Sequence, residues 1–175
     1  MAAAPLSLTA RALRLLAQRE HSRLELERKL QRFVQSQAQE ADEADGAAHA
    51  DAESASPEDL AAVLDKLESK GFIQPERVAQ SVLYRRAPKL GSQRVLQELR
   101  QKGLDEAIVR QAAETLRESE HQRAWAVWQR KFGQLGKLAD TPQERARQMR
   151  FLASRGFAMD VIGKVVRGIA PLAEE

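Results

Sequence analysis

The residues with chemistry to offer are cations. In the stretch "RRAPKLGSQRVLQELRQKG", residues 85–103, stand Arg85, Arg86, Lys89, Arg94, Arg100 and Lys102, against one acid, Glu98. Arg145, Arg147, Arg150 and Arg155 form a second group further along. Guanidinium and ammonium groups at this density hold anions: arginine offers a planar fork to phosphate or carboxylate, and a row of fixed cations displaces the counterions of a polyanion. A single arginine on a helix is ordinary solvation, its stem covering apolar neighbours. Two clusters in one chain are a collective feature. They suit a long anionic partner, either a nucleic acid or an acidic groove on a protein polymer, and charge alone leaves both open. The net charge of +3 conceals this pattern, because residues 37–56 carry six acids and no Lys or Arg while residues 121–167 sum to +7.

Other chemistries leave little trace. The chain has no cysteine, which excludes disulfide scaffolds, thiol catalysis and thiolate metal sites. His21 and His121 fall at expected interhelical turns and His49 in the acidic stretch, and none has a partner at metal-ligand spacing, so no metal site is expected. There is no glycine-rich phosphate loop and no nucleophile elbow. The carboxylates fall in helix first turns, in salt-bridge spacing or in the acidic stretch. Neither enzyme activity nor a cofactor is expected. Trp125, Trp128 and Phe132 recur at helical spacing, the mark of a core stripe rather than a base-stacking platform. Tyr84 lies off the Val78/Val82 face, just before Arg85 and Arg86, and is the better stacking candidate beside its plain reading as an amphipathic surface residue. The N-terminal "MAAAPLSLTARALRLL" has arginines inside its apolar pattern, unlike a secretory signal, and no apolar run reaches membrane-spanning length. A soluble, cytoplasmic, monomeric protein with no membrane partner is expected.

Helices must position these cations. Hydrophobic residues make up 43% of the chain but aromatics only 5%, which suits several thin helical cores. Leu8, Ala12, Leu15 and Leu16 form one stripe; Ser22 and Glu25 form a capping box that opens a helix carrying Leu26, Leu30 and Phe33. Residues 37–56 have no large apolar side chain to offset ordering entropy, so a disordered acidic linker is expected, with a solvated helical extension as the alternative. Pro57 restarts a helix and Lys70-Gly71 ends it. Further helices are expected from Pro75, from Ser92 to Gln101, after Asp105, around Trp125 to Phe132, after the box Thr141-Pro142-Gln143-Glu144, and from Ala158 to Val166. That makes nine helices and no sheet.

The pattern repeats. With Gly103 set on Gly156, Leu96 falls on Met149, Leu99 on Leu152, Lys102 on Arg155, Leu104 on Phe157, Ile108 on Val161 and Ala112 on Val165. The expected architecture is all-α, with tandem three-helix repeats in an elongated, solenoid-like array. The expected units are 1–70, interrupted by the linker at 37–56, then 72–117 and 121–168.

The ordered series of motifs resembles a known family. "LTARALRLLAQREHSRLELERKL" followed by "LESKGFI" looks like the opening of the RecX regulatory proteins. "RVAQSVLYRRAPKLGSQRVLQELRQKGLDEAIVRQA" is similar to that family's central segment, and "RQMRFLASRGFAMDVIGKVVRG" to its C-terminal repeat. The resemblance runs from Leu8 to Gly168 apart from the linker. It implies tandem three-helix repeats and a partner, the RecA recombinase filament on single-stranded DNA. Such proteins lie in the filament groove, inhibit strand exchange and ATP hydrolysis and favour filament loss, which places them in DNA repair, recombination and the SOS response. Where the family carries a pattern like Tyr-x-Asp-Asp-x-Arg-Phe, this chain reads Phe72-Ile73-Gln74-Pro75-Glu76-Arg77-Val78: Arg77 matches, the paired acids and the final Phe do not. The reading is a non-enzymatic negative regulator of the recombinase whose filament or DNA contacts are the ten cations named above. The alternative is a stand-alone helical DNA-binding protein that affects recombination by competing for DNA, with direct contact to single-stranded DNA.

Overall fold

The computed structural model describes residues 7–43, 57–133 and 141–171. Among them are eight α-helices and no strand: α1 (Leu8–Gln18), α2 (Arg23–Glu43), α3 (Pro57–Ser69), α4 (Pro75–Arg86), α5 (Ser92–Gln101), α6 (Glu106–Phe132), α7 (Pro142–Ser154) and α8 (Met159–Val166). The chain divides into two compact units, Met1–Val78 and Ala79–Glu175.

In the first unit α1, α2 and α3 pack against one another. Leu8, Ala12, Leu26, Leu30, Leu60, Leu64, Leu67 and Ile73 are buried together, flanked by Leu15, Leu16, Phe33, Val34 and Val63. Each fully buried leucine removes apolar surface worth about 1.5–3 kcal/mol. The Ser22/Glu25 box forms reciprocally: the Glu25 N–H donates to Ser22 Oγ at 3.2 Å and the Ser22 N–H to a Glu25 carboxylate oxygen at 3.1 Å. Arg19 pairs with the same carboxylate at 3.0 Å. His21 is buried in the turn between α1 and α2. Its Nδ1 donates to the Arg19 carbonyl at 2.9 Å, leaving Nε2 to accept from Lys29 Nζ at 3.1 Å. Burial, with the neighbouring charges of Arg19 and Lys29, holds the imidazole pKa below its ordinary value. Arg23 bridges from α2 to Asp65 and Glu68 of α3, and Arg77 pairs with Glu20.

In the second unit α6 packs against α5, α7 and α8. Ala124, Val127, Trp128, Phe132, Leu152, Phe157, Val161, Ile162, Val165 and Val166 are buried together, with Trp125, Met149 and Phe151 at the margin. The tryptophan and phenylalanine stripe is therefore core. Trp128 stacks on Trp125 with ring centroids 5.2 Å apart, and its indole N–H donates to the buried Gln148 at 2.9 Å. The Thr141/Glu144 capping box also forms, with Pro142 in the first turn of α7.

Four helix ends share one solution. Gly71, Gly103, Gly156 and Gly168 all take positive φ, between 73° and 81°. Behind each glycine the next N–H reaches back to the helix: Phe72 to Leu67, Leu104 to Leu99, Phe157 to Leu152 and Ile169 to Lys164. A side chain is disfavoured at this φ, which accounts for the basic-Gly stops.

Two expectations need correction. A helix was expected to end before residue 121 and another to start there, but α6 runs unbroken from Glu106 to Phe132, so the described residues hold eight helices rather than nine. His121 thus lies inside α6, not at a turn; its Nε2 is 3.0 Å from the Ile169 carbonyl oxygen. The acidic linker was expected from residue 37, but residues 37–43 continue α2 as a helical extension. The rest of the linker, 44–56, lies outside the described residues.

Candidate anion-binding groove

The second unit gathers cations around the turn between α4 and α5. Proline cannot extend a helix, and α4 ends two residues before Pro88. The carbonyls of the turn beyond that end need donors of their own. Two arginines one heptad apart on α6 supply several of them. Arg123 donates to the carbonyls of Ala87 at 3.1 Å, Leu90 at 2.7 Å and Leu116 at 2.8 Å, and to the hydroxyls of Ser92 and Ser119 at 3.1 Å each. Its burial lowers the guanidinium pKa, against the stabilising charge of Glu120. Arg130 donates to the Pro88 carbonyl at 2.8 Å. The turn is thereby pinned to α6.

An open groove of about 1020 Å³ lies between α4 and α6, lined by Leu83, Tyr84, Arg85, Arg86, Ala87, Pro88, Lys89, Gln122, Arg123, Ala126 and Arg130. A smaller recess of about 270 Å³ continues it along Lys89, Val127, Arg130, Lys131, Phe151 and Arg155. Lys89 and Arg130 border both, so the two make one track, and no acidic side chain among the described residues lines either part. Arg155 lies over the Phe151 ring at 4.1 Å, a cation–π contact that orients its guanidinium at the far end. Tyr84, at the near end, is 85% exposed. A row of cations on apolar walls can hold the charges of an anionic chain while covering its less polar parts.

The structure sorts the ten cations named from the sequence. Arg85, Arg86, Lys89 and Arg155 come together on the track; Arg86 is also paired with Glu98 at 2.8 Å. The other six do not line it. Arg94 is exposed on α5 with its stem against the backbone of Gly156. Arg100 is bound to Glu106 at 2.9 Å, which raises its pKa, chiefly through that hydrogen bond. Lys102 is buried at the end of α5 and presents little charge to solvent. Arg145, Arg147 and Arg150 are exposed on α7. Sequence reading passed over Arg123, Arg130 and Lys131. Arg123 and Arg130, seven residues apart without a helix breaker between them, were the available signal.

The same unit contains a junction that spacing along the chain does not reveal. Glu120, buried in the middle of α6, accepts from the Ser92 N–H at 3.0 Å and from the Ala158 N–H at 3.3 Å, serving the starts of both α5 and α8. Beside it the Gly91 N–H donates to the Arg155 carbonyl at 2.9 Å and the Gln93 N–H to the Gly156 carbonyl at 3.1 Å. The free amides of the α5 start are thus taken up by the turn between α7 and α8. A Cβ on Gly91 would come within 2.2 Å of the Gly156 backbone.

Comparison with known proteins bears on this arrangement. A family model described as "RecX, second three-helix domain" matches residues 76–112, and one described as "RecX, third three-helix domain" matches residues 118–166. The regulatory protein RecX of Leptothrix cholodnii is 43% identical over 93% of this chain and 88% of its own. That of Ralstonia nicotianae is 39% identical over 98% of this chain and 93% of its own. A crystal structure of RecX from Lactobacillus salivarius shares the fold, with a TM-score of 0.66 at 17% identity, covering 93% of this chain and 94% of that one.

Proposed function

This chain belongs to the RecX family of regulatory proteins, and on that premise we propose that it is a negative regulator of the RecA recombinase. It binds the RecA filament on single-stranded DNA in the filament groove and inhibits strand exchange, ATP hydrolysis and filament maintenance, by contact rather than by chemistry of its own. RecA as partner comes from the motif resemblance. The observation that carries the mode of action is the acid-free cationic track from Arg85 to Arg155. A net charge of +3 is too small for a general coat on DNA, whereas local tracks suit a polymer that offers anionic sites at intervals.

The test adds purified protein to preformed RecA filaments and follows ATP hydrolysis and filament retention, with DNA alone as control. Inhibition is expected at amounts well below those that cover free DNA, and Lys89→Glu is expected to weaken it. Inhibition that simply follows coverage of naked DNA would instead make this a stand-alone DNA-binding protein competing for the strand.

A further inference from the structure

We propose that the α4–α6 groove is a direct subsite for a single-stranded nucleic acid, in which Tyr84 stacks a base while Arg85, Lys89 and Arg130 hold successive phosphates. The proposal deepens the function above and rests on it only in taking DNA as the natural strand.

Tyr84 is the most exposed large hydrophobic side chain among the described residues, at 85%, and it lines the groove instead of covering core. Beside it Leu83 and Ala126 give the groove apolar surface, and Arg85, Lys89 and Arg130 line it with them. An acidic peptide would be served by the cations alone and would leave ring and apolar wall with nothing to do. A duplex would present phosphates but keep its base faces stacked inside. A single strand offers a charge and an open π-face with every nucleotide, the combination this lining meets, and stacking on an aromatic tolerates any base. The groove, at about 1020 Å³, has room for a short run of nucleotides. Arg130 also grips the Pro88 carbonyl, so one cation of the set is fixed in place before a strand arrives.

The experiment uses the full chain and fluorescently labelled oligonucleotides without RecA, read by anisotropy across a salt series. Four probes are compared: an oligothymidine, an abasic oligonucleotide of equal length and charge, a duplex, and poly-glutamate as competitor. The oligothymidine is expected to bind best. Tyr84→Ala should cost it at least about fivefold in affinity, the stacking of one base, and leave the abasic strand unchanged, while Tyr84→Trp preserves binding. Lys89→Gln should flatten the salt dependence by about 0.7 in log–log slope, one phosphate contact on a single strand. Tyr84 is solvent-exposed, so unchanged circular dichroism is expected for its variants. Equal affinity for base-bearing and abasic strands, no effect of Tyr84→Ala, or displacement by poly-glutamate as effective as by oligothymidine would overturn the subsite. Tyr84-dependent strand binding by a protein that leaves RecA filaments untouched would uphold the subsite and overturn the regulator reading.

Discussion

Helices α5 and α7 occupy matching places in the second and third repeats, and they use the same kind of sequence in opposite ways. Both bury a leucine, Leu99 or Leu152, near the end; both close on a basic residue and a positive-φ glycine; both return an N–H from the residue beyond to the same leucine carbonyl. Yet the start of α5 is capped from afar, by Glu120 and by the carbonyls of Arg155 and Gly156, whereas α7 caps itself with Thr141 and Glu144. The charges follow suit. At the end of α5, Arg100 is paired and Lys102 just beyond it is buried, which leaves only Arg94 exposed and without a carboxylate partner among the described residues, while on α7 Arg145, Arg147 and Arg150 are all exposed. A repeated pattern therefore fixes the turn and the apolar face, and tertiary position decides whether a cation supports the fold or faces solvent.

The contrast can be broken hardest at Gly91. Gly91→Ala places a methyl against backbone that cannot rotate aside, and a loss of about 3 kcal/mol or more is expected in urea unfolding. A substitution of Gly91 that unfolds at the wild-type midpoint would mean that α5 is not docked as described. Next comes Glu120→Ala, which strands two amides at once and should cost about 2–4 kcal/mol, with Glu120→Gln recovering part of it because an acceptor oxygen remains. Thr141→Ala removes only the local cap of α7 and should cost about 1 kcal/mol. A Thr141 effect as large as that of Glu120 would erase the distinction between the two starts. On binding, Arg147→Gln should reduce the salt dependence of filament association, whereas Arg100→Gln, already satisfied by Glu106, should leave it nearly unchanged.

The smallest expected effect comes from acid, and it sets the first unit apart. The folded-state pKa of His21 is depressed, so the unfolded chain binds its proton more readily. Its stabilising contribution is complete above the ordinary histidine value of 6.5 and is lost as pH falls from there through the depressed folded value. Thermal unfolding of wild type and His21→Gln, compared at neutral and mildly acidic pH, should show the larger acid-induced drop in the wild type.

Much of the fold was legible because its signals are local. Ser22 with Glu25, Thr141 with Glu144, and each glycine stop act within a few residues, and the structure shows them as the spacing predicts. The continuity of α6 was misread because its polar run around Glu118 to Gln122 looks like a turn, although no Gly or Pro interrupts it from Leu104 to Phe132. Charge was legible as composition but not as location. Lys102 looks like any surface lysine until α5 is docked, and Arg123 becomes a clamp only when the Ala87–Leu90 carbonyls arrive beside it. Glu120 resembles an ordinary exposed helix carboxylate, since the amides it serves are 28 and 38 residues away.

Glu120 has a consequence for how such a chain can evolve. Arrays of helical repeats commonly grow and shrink by whole units, because each neighbour pair meets across a similar, self-contained boundary. Here the carboxylate belongs to one repeat's helix while its two amides open helices in both. Duplicating or deleting a unit at this boundary would leave a buried carboxyl group or two amides without a counterpart, so changing the number of repeats here would cost stability.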